Sequence, residues 1–301
     1  MFRYWGFGLN ILSQIEFPEL LPKEFDKEDV TIEIGITPLK PEGDDFVKRP
    51  FSCIAEKEYI LNIRNVCRYY AANGSKIIAE PVPGIDQRSI RLFLLGTIMA
   101  AILYQRGSLP LHAAAVEKNG KLTLFAGKSG AGKSTLTALL ASNGYSVFSD
   151  DICVMHSGTK DKPGVYCTAS YPMIKLWDDA ITQLDGDLYT RDYKIRPELP
   201  KYGQFFFENF NSGQLPVEKI FIIHPTGLSH NIDVIKLNTL KSFRQLEQQA
   251  YKNQLILSKK LRAVHFALLS QLTQHVPVYE ITRPQVGTNS AQLFEAIKNQ
   301  L

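Results

Sequence analysis

Residues Lys121 to Asp151 read KLTLFAGKSGAGKSTLTALLASNGYSVFSDD. Inside this stretch Gly127 to Ser134, GKSGAGKS, fits the pattern G-x-x-x-x-G-K-[ST] without a mismatch. Glycines let a backbone curl until successive N–H groups point at one spot, and a following helix adds the partial positive charge of its amino end. The pattern is therefore a phosphate cradle, in which Lys133 reaches the β- and γ-phosphates and Ser134 meets Mg²⁺. It needs a strand before it and a helix after it, and both are legible. Leu122, Leu124 and Ala126 alternate as in a strand, and Leu136 to Ala141, LTALLA, holds good helix formers without a breaker. Gly127, Lys128, Ser129, Gly130, Ala131, Gly132, Lys133, Ser134 and Thr135 are thus the expected nucleotide-binding residues.

Working backwards, Ala113 to Val116 predicts a strand joined through the turn pair Asn119-Gly120 to the strand at Lys121. His112 opens that strand, so it can approach the same rim of a sheet as the loop. Read alone it is equally a structural histidine or a proton-handling group beside a carboxylate. Working forwards, Asn143-Gly144 predicts the helix end, Tyr145 to Phe148 a short strand, and Asp150 and Asp151 its carboxyl end. Ligands of open α/β sheets bind at that end of the strands. One carboxylate can serve Mg²⁺ and the other can accept a proton from a hydroxyl, or the pair can merely shape a turn. Neighbours on a strand point to opposite faces, so each needs its own role unless the strand has ended.

The rest of the chain frames this stretch. Its 301 residues allow one large or two modest domains, and 45% apolar with 21% charged residues is ordinary globular composition. A net charge of +4 without a dense basic run argues against a nucleic-acid binder. The basic and aromatic residues of Tyr189 to Phe210, Lys201 among them, are read as a β-hairpin or active-site flap with solvated charges. Cys53, Cys67, Cys153 and Cys167 form no C-x-x-C pair, which points to free thiols in a reducing cytoplasm. The apolar run Leu92 to Tyr104 is too short to span a bilayer, and no signal peptide opens the chain, so no membrane role is expected.

Alternation at Val30, Ile32, Ile34 and Ile36, extended segments around Ile60 to Tyr70, and a hairpin turn at Asn73-Gly74 predict a small β-rich domain over 1–88. The Pro- and Gly-punctuated stretch from Thr37 to Arg49 reads as a loop. A linking helix, capped by Asp86 and ended at Gly107, is expected over 89–110, and the phosphate-loop domain over 111–301. Beyond the aspartates the pattern predicts strands at Tyr171 to Trp177, Val217 to His224 and Val278 to Ile281. Helices are predicted at Asp178 to Leu184, Thr239 to Gln274 and Ser290 to Gln300. Arg283 could complete an anion site or lie on the surface.

The order His112, GKSGAGKS, Ser149-Asp150-Asp151 resembles the catalytic domain of HPr kinase/phosphorylase, a family structurally related to ATP-dependent phosphoenolpyruvate carboxykinase. The resemblance implies an α/β P-loop kinase fold preceded by a small α+β domain, with ATP and Mg²⁺ as cofactors. It implies that His112 and Asp150 work together at the acceptor hydroxyl, with Lys133 and Ser134 at the phosphates and metal. Asp151 would support the metal or the base. Thr135 stands where the bifunctional enzymes have Glu, and residues 156–216 hold no counterpart of their Gly-rich phosphorylase signature. A one-way kinase is therefore expected. The segments FGLNI, FPEL, RYYAANGSKI and LLGTIMAAILYQRGSLPLHAAAV are similar to HPr-kinase-like proteins of lasso-peptide gene clusters. That similarity implies the C-terminal serine of a precursor peptide as acceptor. Free serine, another small hydroxyl compound or an HPr-like protein are alternatives, as is a nucleotide-dependent switch that transfers nothing. Related kinases assemble as oligomers, so a homo-oligomer is an expectation.

Overall fold

Two-residue alternation governs the first eighty residues and folds them into one sheet. The computed structural model describes residues 1–184, 189–227, 231–285 and 290–301. They form two units, one of Met1–Pro110 with Lys252–Phe266, the other of Leu111–Tyr251 with Ala267–Leu301. The helix expected as a linker over 89–110 thus lies within the first unit, as do residues 252–266, which sequence pattern alone assigns to the phosphate-loop domain. Nothing in composition changes at 252, because the boundary is set by packing.

The first unit holds β1 (Phe2–Gly6), β2 (Leu9–Ser13), β3 (Leu21–Pro22), β4 (Val30–Ile34), β5 (Val47–Arg49), β6 (Ser52–Ile54), β7 (Glu58–Ile63), β8 (Cys67–Ala72) and β9 (Lys76–Pro81). They form one sheet in the order β3-β1-β2-β4-β9-β8-β7-β6-β5. β5 falls in the stretch read as loop; it is three exposed residues whose pattern carries no signal. Asn73 and Gly74 both take positive φ, 55° and 67°, in the three-residue loop that joins the paired residues Ala72 and Lys76. Helix α1 (Gln87–Phe93) starts where the Asp86 carboxylate accepts from Ser89 N at 3.2 Å. A π-helical turn over Leu94–Ile98 passes into α2 (Met99–Gln105), and Gly107 with φ 77° ends it. The apolar run Leu92 to Tyr104 is largely buried. No helix among the described residues is long and apolar enough to cross a membrane.

After a short strand, β10 (Leu109–Leu111), the second unit is built from β11 (Ala113–Lys118), β12 (Lys121–Gly127), α3 (Lys133–Ala141), β13 (Ser146–Ser149), β14 (Cys153–Ser157), β15 (Val165–Thr168), β16 (Met173–Trp177), α4 (Asp178–Gln183), β17 (Lys201–Phe205), β18 (Gln214–Thr226), β19 (Asp233–Lys236), α5 (Thr239–Gln248), α6 (Lys259–His275, shared with the first unit), β20 (Val278–Pro284) and α7 (Ser290–Ile297). β11 and β12 form the hairpin expected at Asn119-Gly120, whose φ values are 53° and 74°. β12 lies parallel to β18, and β18 parallel to β20. β13 pairs antiparallel with β11 and so runs in the sense of β12. The carboxyl ends of these four strands therefore share one rim with the amino end of β11, where His112 lies.

Phe125, Phe221 and Tyr279 stack across β12, β18 and β20, with ring centroids 5.7 Å and 5.1 Å apart. Leu136 and Leu140 of α3 and Leu293 and Ile297 of α7 pack into the same core. A second cluster joins Ala138 of α3 to Ile174, Leu176, Ile181 and Leu184. It presses the antiparallel β16–β17 hairpin against the helix that follows the glycine loop. The helix expected over Thr239 to Gln274 is two helices. Residues 249–258 break it, although they contain neither Gly nor Pro. Gln249 O accepts from His112 N at 2.7 Å, Ala250 bridges Leu111, and Lys252 turns to φ 54°. Tertiary pairing overrides helix propensity there.

Candidate active site

The glycine loop joins the end of β12 to α3. Gly127 has φ 144°, and a Cβ there would lie 2.6 Å from Ile223 O on β18, so only glycine passes. Gly130 and Gly132 also take positive φ, 81° and 100°. Ala131 O accepts from Arg283 Nε and Nη2 at 3.3 Å and 3.1 Å. Arg283 is thus a buried residue of β20 that holds the loop, not a surface arginine. Tying one loop carbonyl down helps keep the loop's N–H groups free to converge on an anion.

Lys133, the first residue of α3, is buried, and its ammonium donates to Gly127 O at 2.8 Å and Lys128 O at 3.2 Å. Its third contact is His112 Nε2 at 3.0 Å. An ammonium only donates, so Nε2 accepts and the ring proton sits on Nδ1. Nδ1 faces Asp151, 3.0 Å from its carbonyl oxygen and 3.3 Å from Oδ1. Burial pushes the Lys133 ammonium down to about 8, against the pull of Asp150 and Asp151.

The two aspartates have different settings. Asp150 is buried, with Oδ1 accepting from Ser134 Oγ at 2.8 Å and Oδ2 from Lys175 N at 2.9 Å. The strand has already ended at Ser149, and Asp151 turns to φ 70°, which lets neighbouring carboxylates face one site. Its side chain stays 23% exposed, and Oδ2 meets Lys175 Nζ at 2.9 Å. Burial would raise the Asp151 carboxyl, but Lys175 and His112 outweigh it and hold it well below the usual carboxylate range. The resemblance implies that His112 works with Asp150, whereas its contact is with Asp151. The left-handed turn at Asp151 is the reason.

Lys175 and Trp177 reach the site from a stretch read only as a strand, and Lys201 from the stretch read as a hairpin or active-site flap. A lysine within the apolar run MIKLW was the available signal, since lysine is seldom buried unless paired. Of the other loop residues, Ser129, Gly130, Gly132, Ser134 and Thr135 line a narrow cleft of about 70 Å³ with both aspartates and His112. The Lys128 side chain is exposed and offers only its backbone carbonyl to Lys133. A larger cavity of about 720 Å³ opens beside the loop, bounded by Thr135, Trp177, Asp179, Gln183 and Arg283 among others.

The residues present fit a divalent cation and a polyphosphate. Ser134 and Asp150 place hydroxyl and carboxylate oxygens together, the hard donors that Mg²⁺ takes alongside water and substrate phosphates. Among the described residues no set of three or more His, Cys, Asp or Glu forms a metal cage of its own. The chain matches no family model. No curated protein matches it either. Among solved structures, the Hpr(Ser) kinase/phosphatase from Coxiella burnetii is similar to it with a TM-score of 0.34 and 12% identity, over 64% of this chain and 95% of that one.

Proposed function

We propose that the chain is an ATP- and Mg²⁺-dependent kinase that phosphorylates a serine hydroxyl, with the tail of a precursor peptide as preferred acceptor. One observation carries the kinase reading. Two carboxylates meet the rim of the glycine loop in different settings, Asp150 held by Ser134 and Asp151 open to the cleft beside His112. The peptide acceptor rests on the sequence resemblance alone. Free thiols and the lack of a spanning helix among the described residues are compatible with a cytoplasmic enzyme.

In this mechanism the loop N–H groups and the amino end of α3 bind the donor phosphates. Lys133 leaves its carbonyl partners to meet the β- and γ-phosphates. Ser134 and Asp150 would hold Mg²⁺, which would supply charge neutralisation at the phosphates. Asp151 accepts the serine proton, because its side chain stays 23% exposed at the cleft whereas Asp150 is buried against Ser134 and the Lys175 backbone. His112 orients Asp151 through Nδ1–H. This exchanges the roles that the resemblance implies for the two aspartates.

The test offers ATP and Mg²⁺ with a serine-ending peptide, free serine or an HPr-like protein. Asp151→Asn is expected to keep ATP binding and lose about 10²–10⁴-fold in transfer, the usual contribution of a general base. Asp150→Asn is expected to weaken the Mg²⁺ dependence instead. Transfer retained in Asp151→Asn would end the base assignment. Labelling of free serine alone would end the peptide assignment. ATP binding with no acceptor labelled would replace the kinase by a nucleotide-dependent switch.

A further inference from the structure

The β16–β17 hairpin presents one polar face to the narrow cleft. Lys175 and Trp177 are two residues apart on β16 and so share a face, while Ile174 and Leu176 turn to the core beneath α3. Lys201 is directly opposite Trp177 in the antiparallel register, which puts it on the same face. Its ammonium sits 5.5 Å from the centroid of the Trp177 ring. The backbone there is fixed by Asp178 N donating to Pro200 O at 3.0 Å and Ile195 N to Lys201 O at 2.9 Å.

The cleft's cations divide by what already neutralises them. Lys175 is paired with Asp151. Lys133 spends its donors on Gly127 O, Lys128 O and His112. Among the described residues no carboxylate lies within ion-pair distance of Lys201. It lines the cleft with Ser129, Lys133 and both aspartates, and burial depresses its ammonium, partly offset by Asp151. An ammonium that is partly desolvated and unpaired favours an anion in the space before it.

We propose that Lys201 is a further catalytic group, whose ammonium binds the oxyanion of the phosphoryl group as it passes from donor to acceptor across this cleft. The proposal rests on the kinase reading. In the step, the bond from the γ-phosphorus to the β,γ-bridging oxygen breaks, and its electron pair leaves with ADP. A bond forms from the acceptor oxygen to the γ-phosphorus, and the hydroxyl proton goes to Asp151. Lys201 gains or loses no proton. It faces the equatorial oxygens from the hairpin side while the loop faces them from the other, and charge spread over those oxygens is what such cations stabilise.

The test uses the full chain with Lys201→Met and Lys201→Arg. In one arm, kcat and KM are measured for transfer to a serine-ending peptide and for slow ATP hydrolysis without it. In the other, the affinity for inorganic phosphate is measured by calorimetry in the presence of MgADP. Lys201→Met is expected to lower kcat about 10²-fold in both reactions with KM changed by less than about threefold. It is also expected to weaken phosphate binding at least about tenfold, with partial recovery in Lys201→Arg. Unchanged kcat, a rise in acceptor KM alone, or phosphate binding indifferent to Lys201 would each overturn the proposal and leave the kinase reading intact. Phosphate binding that depends on Lys201 in a protein that transfers nothing would keep the anion site and remove the kinase.

Discussion

The cleft has one wall made of backbone and another made of side chains. The loop wall, Gly127 to Thr135, is nine consecutive residues shaped by glycine conformations and a helix terminus. The hairpin wall sets Lys175, Trp177 and Lys201 side by side from positions some 25 residues apart in the chain. The first needs only local dihedrals. The second needs a strand register, and a one-residue slip would turn every lysine away from the cleft. The first wall is therefore written in a short pattern, and the second exists only after folding.

Substitutions on the two walls should separate chemistry from stability. Lys133→Ala, on the loop wall, is expected to lower donor turnover about 10³-fold with no loss of melting temperature, since burying that ammonium is unfavourable. A drop in melting temperature of the size seen for core truncations would show that the loop wall is structural as well. Lys175→Met, on the hairpin wall, is expected to cost about 3–5 kcal/mol in urea unfolding, because it strands the Asp151 charge. A cost below about 1 kcal/mol would mean that His112 alone suffices for Asp151.

Gly203→Ala probes the register itself. A Cβ there would meet Met173 Sδ at 2.5 Å and the Tyr193 ring at 3.0 Å. The expected cost is about 1–3 kcal/mol of unfolding free energy, with a lower kcat and unaltered ATP affinity. Weakened ATP binding would show that the two walls are coupled. The smallest effect expected is on pH. Lys133 loses its proton near pH 8 in the free protein, whereas bound phosphates favour the charged form. ATP affinity should be flat below about 8 and fall towards about tenfold per unit above it, with uptake of one proton on binding. Calorimetry in buffers of different ionisation enthalpy measures that uptake, and a flat profile to pH 9.5 would sink the assignment of Lys133 to the phosphates.

Much of the fold could be read in the chain wherever local geometry carried it. The turns at Asn73-Gly74 and Asn119-Gly120 and the cap at Asp86 all follow from residue types at fixed offsets. β14, β15 and β19 went unseen, because short strands in loosely patterned sequence take their identity from their partners. His112 was placed at the correct rim by the hairpin that follows it. Which aspartate it meets was not legible, because a left-handed aspartate leaves no mark in the sequence.

The sequence by itself determined the glycine loop, its flanking strand and helix, and the presence of a histidine and two carboxylates near it. These depend on interactions within a few residues. The tertiary structure decided which carboxylate meets Ser134 and which meets His112, that Arg283 holds the loop, and that Lys175 and Lys201 face it. Those outcomes depend on strand direction, register and burial. They are properties of pairing between distant segments, which no local pattern of residues encodes.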